Sequence, residues 1–282
     1  MERAKFKTIA KALLLTAFGA ALLALATLAL GLYNVAANRQ HLQPVFSLLE
    51  FAVHRSVRRH ASDVQVPVLD DPVLLQRGAT CFRDKCLQCH GGPGMAQGDL
   101  GQGMQPLPGP LIDASKRWNA GELYWITRNG LKMTGMPAWE HHLSEDDLWA
   151  VVGFMHKLPQ LSPREFAEWM LLDEREKTRC EPPMPKPLLP ADAERGRRAL
   201  YAYACVGCHA IPGTVQSNPQ VGPPLSGMAR RTRIAGVLDN TPQNMEYWLR
   251  ETQSIKPGTA MPSMGVGEQD ARDMAAYLQT LH

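Results

Sequence analysis

The sequence predicts an all-α protein, with a single N-terminal transmembrane helix followed by two helical domains in tandem. Three observations carry that prediction: an uncharged apolar run near the N-terminus, a Cys-x-x-Cys-His motif that occurs twice, and flanking residues that repeat with it. At 282 residues the chain has room for about two domains of ordinary size. Its 45% hydrophobic and 20% charged residues are those of a globular protein. The net charge of +3 is unevenly placed, because residues 1–60 hold eight of the 30 Lys/Arg and only two of the 27 acids. A basic membrane-proximal end and a mildly acidic body follow from this; nucleic-acid binding, which uses a strongly basic domain, does not.

Residues 1–11 form a basic N-terminus carrying Arg3, Lys5, Lys7 and Lys11. Residues 12–33 then run 22 positions without a charge, enough to cross a hydrocarbon core of ~30 Å at ~1.5 Å per residue. A cleaved signal peptide is the rival reading, with Val35-Ala36-Ala37 as its site, but the apolar region of such a peptide spans only about 7–15 residues. We therefore read 12–33 as a retained anchor. Basic residues crowd before the run and only Arg39 closely follows it. The positive-inside rule then leaves the N-terminus in the cytoplasm and the soluble domains on the periplasmic side of the inner membrane. Residues 34–69 form a juxtamembrane segment. Its stretch 44–60 is apolar first and basic second, which suits an interfacial helix, a docking surface for a membrane partner, or a basic connector.

The first domain is expected over 70–160 and the second over 188–282, joined by a proline-rich linker over 161–187. In that linker Ser162-Pro163-Arg164-Glu165 opens a short helix through a capping box. Phe166, Trp169 and Met170 share one face of it, suited to packing on a neighbouring domain.

Cys86-Leu87-Gln88-Cys89-His90 and Cys205-Val206-Gly207-Cys208-His209 have the form of haem-attachment motifs. Two thiols about one helical turn apart can bond the two vinyl groups of a porphyrin, and the adjoining histidine can ligate its iron. A structural zinc site would want four ligands from paired motifs, whereas these pairs lie 119 residues apart. A thioredoxin-like pair would want a βαβ context, which the sequence lacks. The surroundings repeat as well. Phe82 and Tyr201 each precede the first motif cysteine by four residues, and Gly78 and Gly196 offer a close helix approach. Gly109-Pro110-Leu111 answers Gly222-Pro223-Pro224-Leu225, and Met136-Pro137 answers Met261-Pro262. Each repeat ends in an amphipathic helix, 144–158 with Ser144 and Asp147 as a capping box and 268–281, in which Phe154 and Tyr277 correspond.

On these residues both segments resemble class I cytochrome c domains. The resemblance implies two covalently bound c-type haems, attached at Cys86 and Cys89 and at Cys205 and Cys208. It implies that His90 and Met136 ligate the first iron and His209 and Met261 the second. Pro110, and Pro223 or Pro224, would lie in the loops that orient the histidines. Met133 competes with Met136 and Met264 with Met261, but only the Met-Pro member is common to both repeats. Met95, Met104, Met155 and Met245 read as core filler. His141 and His142 read as exposed polar residues beside a helix start, ahead of a bis-histidine haem. Trp118, Trp125, Trp139 and Trp248 suit haem packing or an ordinary core, and Lys256 suits a solvated loop or a propionate contact. Cys81 and Cys180 depart from the family pattern. Two unpaired thiols are expected there, ahead of a disulfide that would clamp the linker onto the first domain.

Iron closed by histidine and methionine has no open position, so the resemblance implies electron transfer, with no catalytic residues and no small-molecule substrate. The expected role is a periplasmic dihaem carrier relaying electrons from a respiratory donor to an acceptor such as a terminal oxidase. Its partners would be redox proteins: a quinol-oxidising complex, a dehydrogenase or the oxidase itself. The alternative is a dedicated cytochrome subunit of a larger membrane dehydrogenase or oxidase complex. A dihaem peroxidase is the weakest reading, because both repeats carry methionine candidates.

Overall fold

A computed structural model describes residues 2–171, 180, 187–216 and 219–282, the first three of them by backbone alone. The regular structure of the described residues is helical, as the sequence predicts, apart from one hairpin of two-residue strands. Linker residues 172–179 and 181–186 lie outside them.

Helix α1 spans Glu2–Ala29, starting earlier and ending sooner than the 12–33 run. The chain turns out of it at Gly31, whose φ of +64° suits glycine alone among common residues. Its Lys5–Ala29 stretch reaches a mean hydropathy of 2.2 with none of it buried against the rest of the chain, and it is long and apolar enough to cross a membrane. Helix α2 spans Gln43–His60, entered through Pro44 in its first turn. Its basic half lies on the first domain: Val57 is buried, His54 stacks on Trp118 at 4.2 Å, Arg58 faces Glu122 at 3.7 Å, and His60 tilts against Trp125 at 5.6 Å. Its apolar half projects into the open, with Leu48, Leu49 and Phe51 exposed.

The first domain contains α3 (Pro72–Lys85), α4 (Leu87–His90), α5 (Asp99–Gln102), α6 (Ala114–Arg117), α7 (Ala120–Asn129) and α8 (Glu145–Lys157). Asp71 caps α3 by accepting the Val73 and Leu74 amides. Ser144 caps α8, but Asp147 does not complete the expected box. Its carboxylate accepts the Ser144 hydroxyl and the Arg77 guanidinium instead. Helix α3 crosses α8 at Gly78, where a methyl group would overlap the Ala150 carbonyl. One turn on, the Phe82 and Phe154 rings meet edge to face at 5.5 Å.

Helix α9 (Pro163–Leu171) belongs to this domain rather than to a free linker. Ser162 and Glu165 form the capping box that opens it, and Phe166 is fully buried against Phe82 and Phe154. Cys180 is disulfide-bonded to Cys81, with Cα atoms 4.8 Å apart. This corrects the expectation of two unpaired thiols. Cys81 lies five residues before Cys86, on the side of α3 that faces away from the motif cysteines.

The second domain contains α10 (Ala193–Ala202), α11 (Pro242–Arg250), α12 (Thr252–Ile255) and α13 (Glu268–Leu278), with β1 (Arg233–Ile234) and β2 (Leu238–Asp239) paired as a hairpin. Helix α10 crosses α13 at Gly196, where a methyl would overlap the Asp273 carbonyl. The crossing is latched by Arg195 on the nearly inaccessible Asp273 at 2.7 Å, as Arg77 on Asp147 latches the first. The aromatic match fails here. Helix α3 runs to the residue before Cys86, whereas α10 stops at Ala202 and Ala204 turns left-handed at φ +56°. The ring reaching the core is therefore Tyr203, while Tyr201 stays 58% exposed.

Candidate haem sites

In the first domain the motif cysteines and histidine occupy the end of α3, the following bend and α4. Cys86, Cys89, His90 and Met136 all line one cavity of about 440 Å³. Leu111, Leu123, Ile126, Val151 and Met155 give it an apolar wall. His90 Nδ1 lies 2.7 Å from the Gly109 carbonyl. A carbonyl only accepts, so Nδ1 carries the proton and Nε2 keeps the lone pair that can bind a metal. Burial lowers the His90 pKa, which favours that neutral ring. Burial and the neighbouring Cys89 push the free Cys86 thiol up to about 12, so it stands protonated at neutral pH.

Met136 reaches the cavity because the loop after α7 folds back over the helix end. Gly130, at φ +65°, sits where any Cβ would overlap the Met136–Ala138 backbone. The Thr134 hydroxyl accepts the Met136 amide at 3.0 Å. Met133 adopts φ +59° and is 96% exposed, which separates it from its competitor. Met104 and Met155 also line the cavity. Trp118 and Trp139 line it too, whereas Trp125 faces α2 and Trp248 sits in the second core.

In the second domain His209 Nδ1 lies 2.8 Å from the Pro223 carbonyl, and a Cβ on Gly222 would strike the His209 ring. Burial pushes the Cys205 thiol up to about 11. Met261 packs, partly buried, against the core, and Met264 is 38% exposed. The Gln253 amide holds the methionine loop by donating to the Thr259 and Met261 carbonyls at 2.8 and 2.7 Å. Lys256 donates to the Ala235 carbonyl.

The two histidine loops are alike in a way the motif comparison only half captures. The acceptor in the first is Gly109, not Pro110, and in the second it is Pro223. Each is the residue before the loop's last proline. The carbonyl of that proline is turned the other way, where an arginine seven residues on takes it: Arg117 on Pro110 and Arg231 on Pro224. This arginine spacing, and the Arg-Gly pairs at 77–78 and 195–196, were signals present in the sequence and overlooked. His141 is a correction as well. It is not simply exposed but reaches Asp270 of the second domain at 3.2 Å.

The residues of the first domain fit a covalently attached haem: two thiols at an apolar cavity, a neutral imidazole held by its far nitrogen, and a thioether on the same wall. The second domain repeats the histidine arrangement.

Comparison with known families agrees with this reading. Residues 73–155 match the model for cytochrome c oxidase, cbb3-type, subunit III, and residues 193–282 match the model for cytochrome c. Cytochrome c oxidase subunit 2 of Alkalihalophilus pseudofirmus is 38% identical over 90 residues, 32% of this chain and 25% of that protein. The subunit 2 of Bacillus sp. strain PS3 is 30% identical over 100 residues, 34% of this chain and 28% of that protein. That of Bacillus subtilis is 27% identical over 123 residues, 43% and 32% of the two chains. The chain thus spans a third or less of the length of these relatives. Among solved structures, a reducing HAO-like protein complex from Kuenenia stuttgartiensis superposes with a TM-score of only 0.26 at 16% identity, covering 77% of this chain and 99% of that one. That superposition carries no argument.

Proposed function

Since the chain is a tandem of two cytochrome c-type domains behind an N-terminal apolar helix, we propose that it is a dihaem electron carrier anchored in the inner membrane, with both domains in the periplasm. A bound c-type haem supplies one-electron chemistry at its iron. Cys86 and Cys89 hold the first haem and Cys205 and Cys208 the second. His90 and Met136 ligate one iron, His209 and Met261 the other. The observation that carries this reading is the pair of histidines whose Nδ1 atoms are each fixed on a backbone carbonyl, at 2.7 and 2.8 Å. Fixing the far nitrogen sets the ring's orientation and raises its basicity as a ligand. The apolar wall of the first cavity would disfavour water beside the group, and a histidine and a methionine on each iron would leave no position for a substrate, so the residues would serve a relay.

The names of the similar proteins, cytochrome c oxidase subunits, support a terminal oxidase as the acceptor, with a quinol-oxidising complex or a dehydrogenase as the donor this reading would need. A dedicated subunit of a larger oxidoreductase is the second reading. It is favoured by the projecting apolar half of α2, where Leu48, Leu49 and Phe51 lie exposed between the anchor and the docked basic half.

A redox titration followed by absorption spectra tests the ligand set. Met136→Ala and Met261→Ala should each abolish one of two low-spin methionine signatures and lower that haem's potential by on the order of 100 mV. Two unchanged spectra would overturn the assignment. Purification in mild detergent separates the two readings, since a stoichiometric partner favours the subunit.

A further inference from the structure

Between the domains lies a contact that neither haem site uses. His141 bridges two carboxylates, Asp270 of α13 at 3.2 Å and the adjoining Glu140 at 3.4 Å. Tyr203 donates its hydroxyl to the same Asp270 at 2.9 Å and accepts the Gly267 amide at 3.3 Å. The His141 and His142 rings lie 5.6 and 6.0 Å from the Tyr203 ring, and Trp139 lies 6.2 Å from His142. Both ends of this row reach a haem site. Trp139 lines the first cavity beside Cys86, and the Tyr203 carbonyl lies 3.8 Å from the Sγ of Cys205.

We propose that Trp139, His142 and Tyr203 form the bridge through which the two haem sites exchange electrons, and that His141, seated between Glu140 and Asp270, is the latch that keeps the bridge closed. The inference rests on the dihaem reading above. The step moves one electron from the reduced haem of one domain to the oxidised haem of the other, with no bond made or broken. The four side chains are positioning residues. They hold two separately folded domains at one spacing, where tethering by the linker alone would leave that spacing unset.

The electrostatics suit a latch. Burial pulls the His141 pKa down, but hydrogen bonds to Asp270 and Glu140 and their charges outweigh it and push the imidazole up to about 9. Asp270 would be raised by burial, yet its bonds to His141 and Tyr203 hold it below its ordinary value. Burial and the Asp270 charge raise the Tyr203 phenol, which therefore stays a neutral donor. The other charged groups facing the cluster are His142, Lys85, Arg198 and Arg128, the last paired with Glu140 at 3.1 Å. Asp270 lies on the other domain, so its share of this rise is gained on docking and stabilises the docked state fully below the ordinary histidine value of 6.5. That contribution fades as the pH climbs and is lost once it passes about 9.

The test uses the full haem-loaded chain in detergent, with two readouts. One is electron equilibration between the haems after flash photoreduction. The other is deuterium uptake of the second-domain segment 267–271. His141→Ala should slow equilibration about tenfold or more and raise uptake across the contact, while leaving both haem spectra and potentials unchanged. His142→Ala should slow equilibration alike, and His142→Phe, which keeps a ring in place, should restore it. The wild-type rate should hold level from pH 6 to 7 and fall as the pH passes 9. Rates within about twofold of wild type in His141→Ala and His142→Ala would overturn the proposal, and so would unchanged uptake in His141→Ala. Fewer than two haems per chain in the wild type would instead defeat the dihaem reading, and the uptake arm still decides the latch.

Discussion

Asp147 is the residue on which most of the first domain's internal order converges. It is fully buried, accepts the Arg77 guanidinium from α3, and accepts the Ser144 hydroxyl at the start of its own helix. Asp273 repeats the role, taking Arg195 at 2.7 Å and the Asp192 amide at 2.7 Å, so that it also holds the entry to α10. A buried carboxylate of this kind is costly unless every lone pair is occupied, and its removal strands several donors at once. Asp147→Ala is therefore expected to destabilise the first domain by about 2–4 kcal/mol, and Asp273→Ala the second by a similar amount. Urea unfolding reads this as a lower midpoint at unchanged slope. A shift in slope alone would mean that the variant had loosened the unfolded or native ensemble instead. Neither aspartate shows as functional in its local sequence, since each partner arginine lies about seventy or more residues away.

At the scale of elements, the helix crossings at Gly78 and Gly196 decide whether each domain closes. The α3 and α10 backbones touch the opposing helix at a carbonyl, so even a methyl must push the helices apart. Gly78→Ala and Gly196→Ala should each cost about 1–3 kcal/mol. Because the α4 segment follows directly from α3, Gly78→Ala should also disturb the first haem spectrum, and an undisturbed melt and spectrum would show that the crossing tolerates the methyl. These crossings were legible in sequence because a glycine recurs eight or nine residues before the first motif cysteine, at Gly78 and Gly196. The cysteine–histidine motifs and the Met-Pro pairs were legible for the same reason. The short helix α9 was legible from its capping box and its apolar face, and Phe166 and Met170 are buried in the first core as that face suggests. The failures have a different cause. Tyr201 was matched to Phe82 by counting back from the motif, and that count breaks where α10 ends a turn early. The His141–Asp270 contact spans 129 residues and no local pattern announces it.

For the whole molecule, cysteine chemistry ties together topology, cofactor loading and fold. The disulfide between Cys81 and Cys180 closes a loop 99 residues in sequence, one that encloses the rest of α3, α4 to α8 and the α9 return. Such a bond persists in an oxidising compartment, as the proposed periplasmic placement of the domains would provide. A closed loop of that length restricts the unfolded chain, and chain-entropy arguments assign it about 4–5 kcal/mol. The remaining four cysteines, Cys86, Cys89, Cys205 and Cys208, are the proposed haem-attachment set. If both haems are bound through thioethers, the mature protein has no alkylatable thiol. Denaturation followed by iodoacetamide should then label none of its six cysteines, and prior reduction should expose two, Cys81 and Cys180. Two labelled sites without reduction would mean that the disulfide does not form in the cell. Labelling at either Cys-x-x-Cys pair would mean that the corresponding domain carries no covalent haem. The Cys81→Ser/Cys180→Ser double variant completes the argument. Its first domain should melt lower than wild type, match the reduced wild type, and respond no further to reductant.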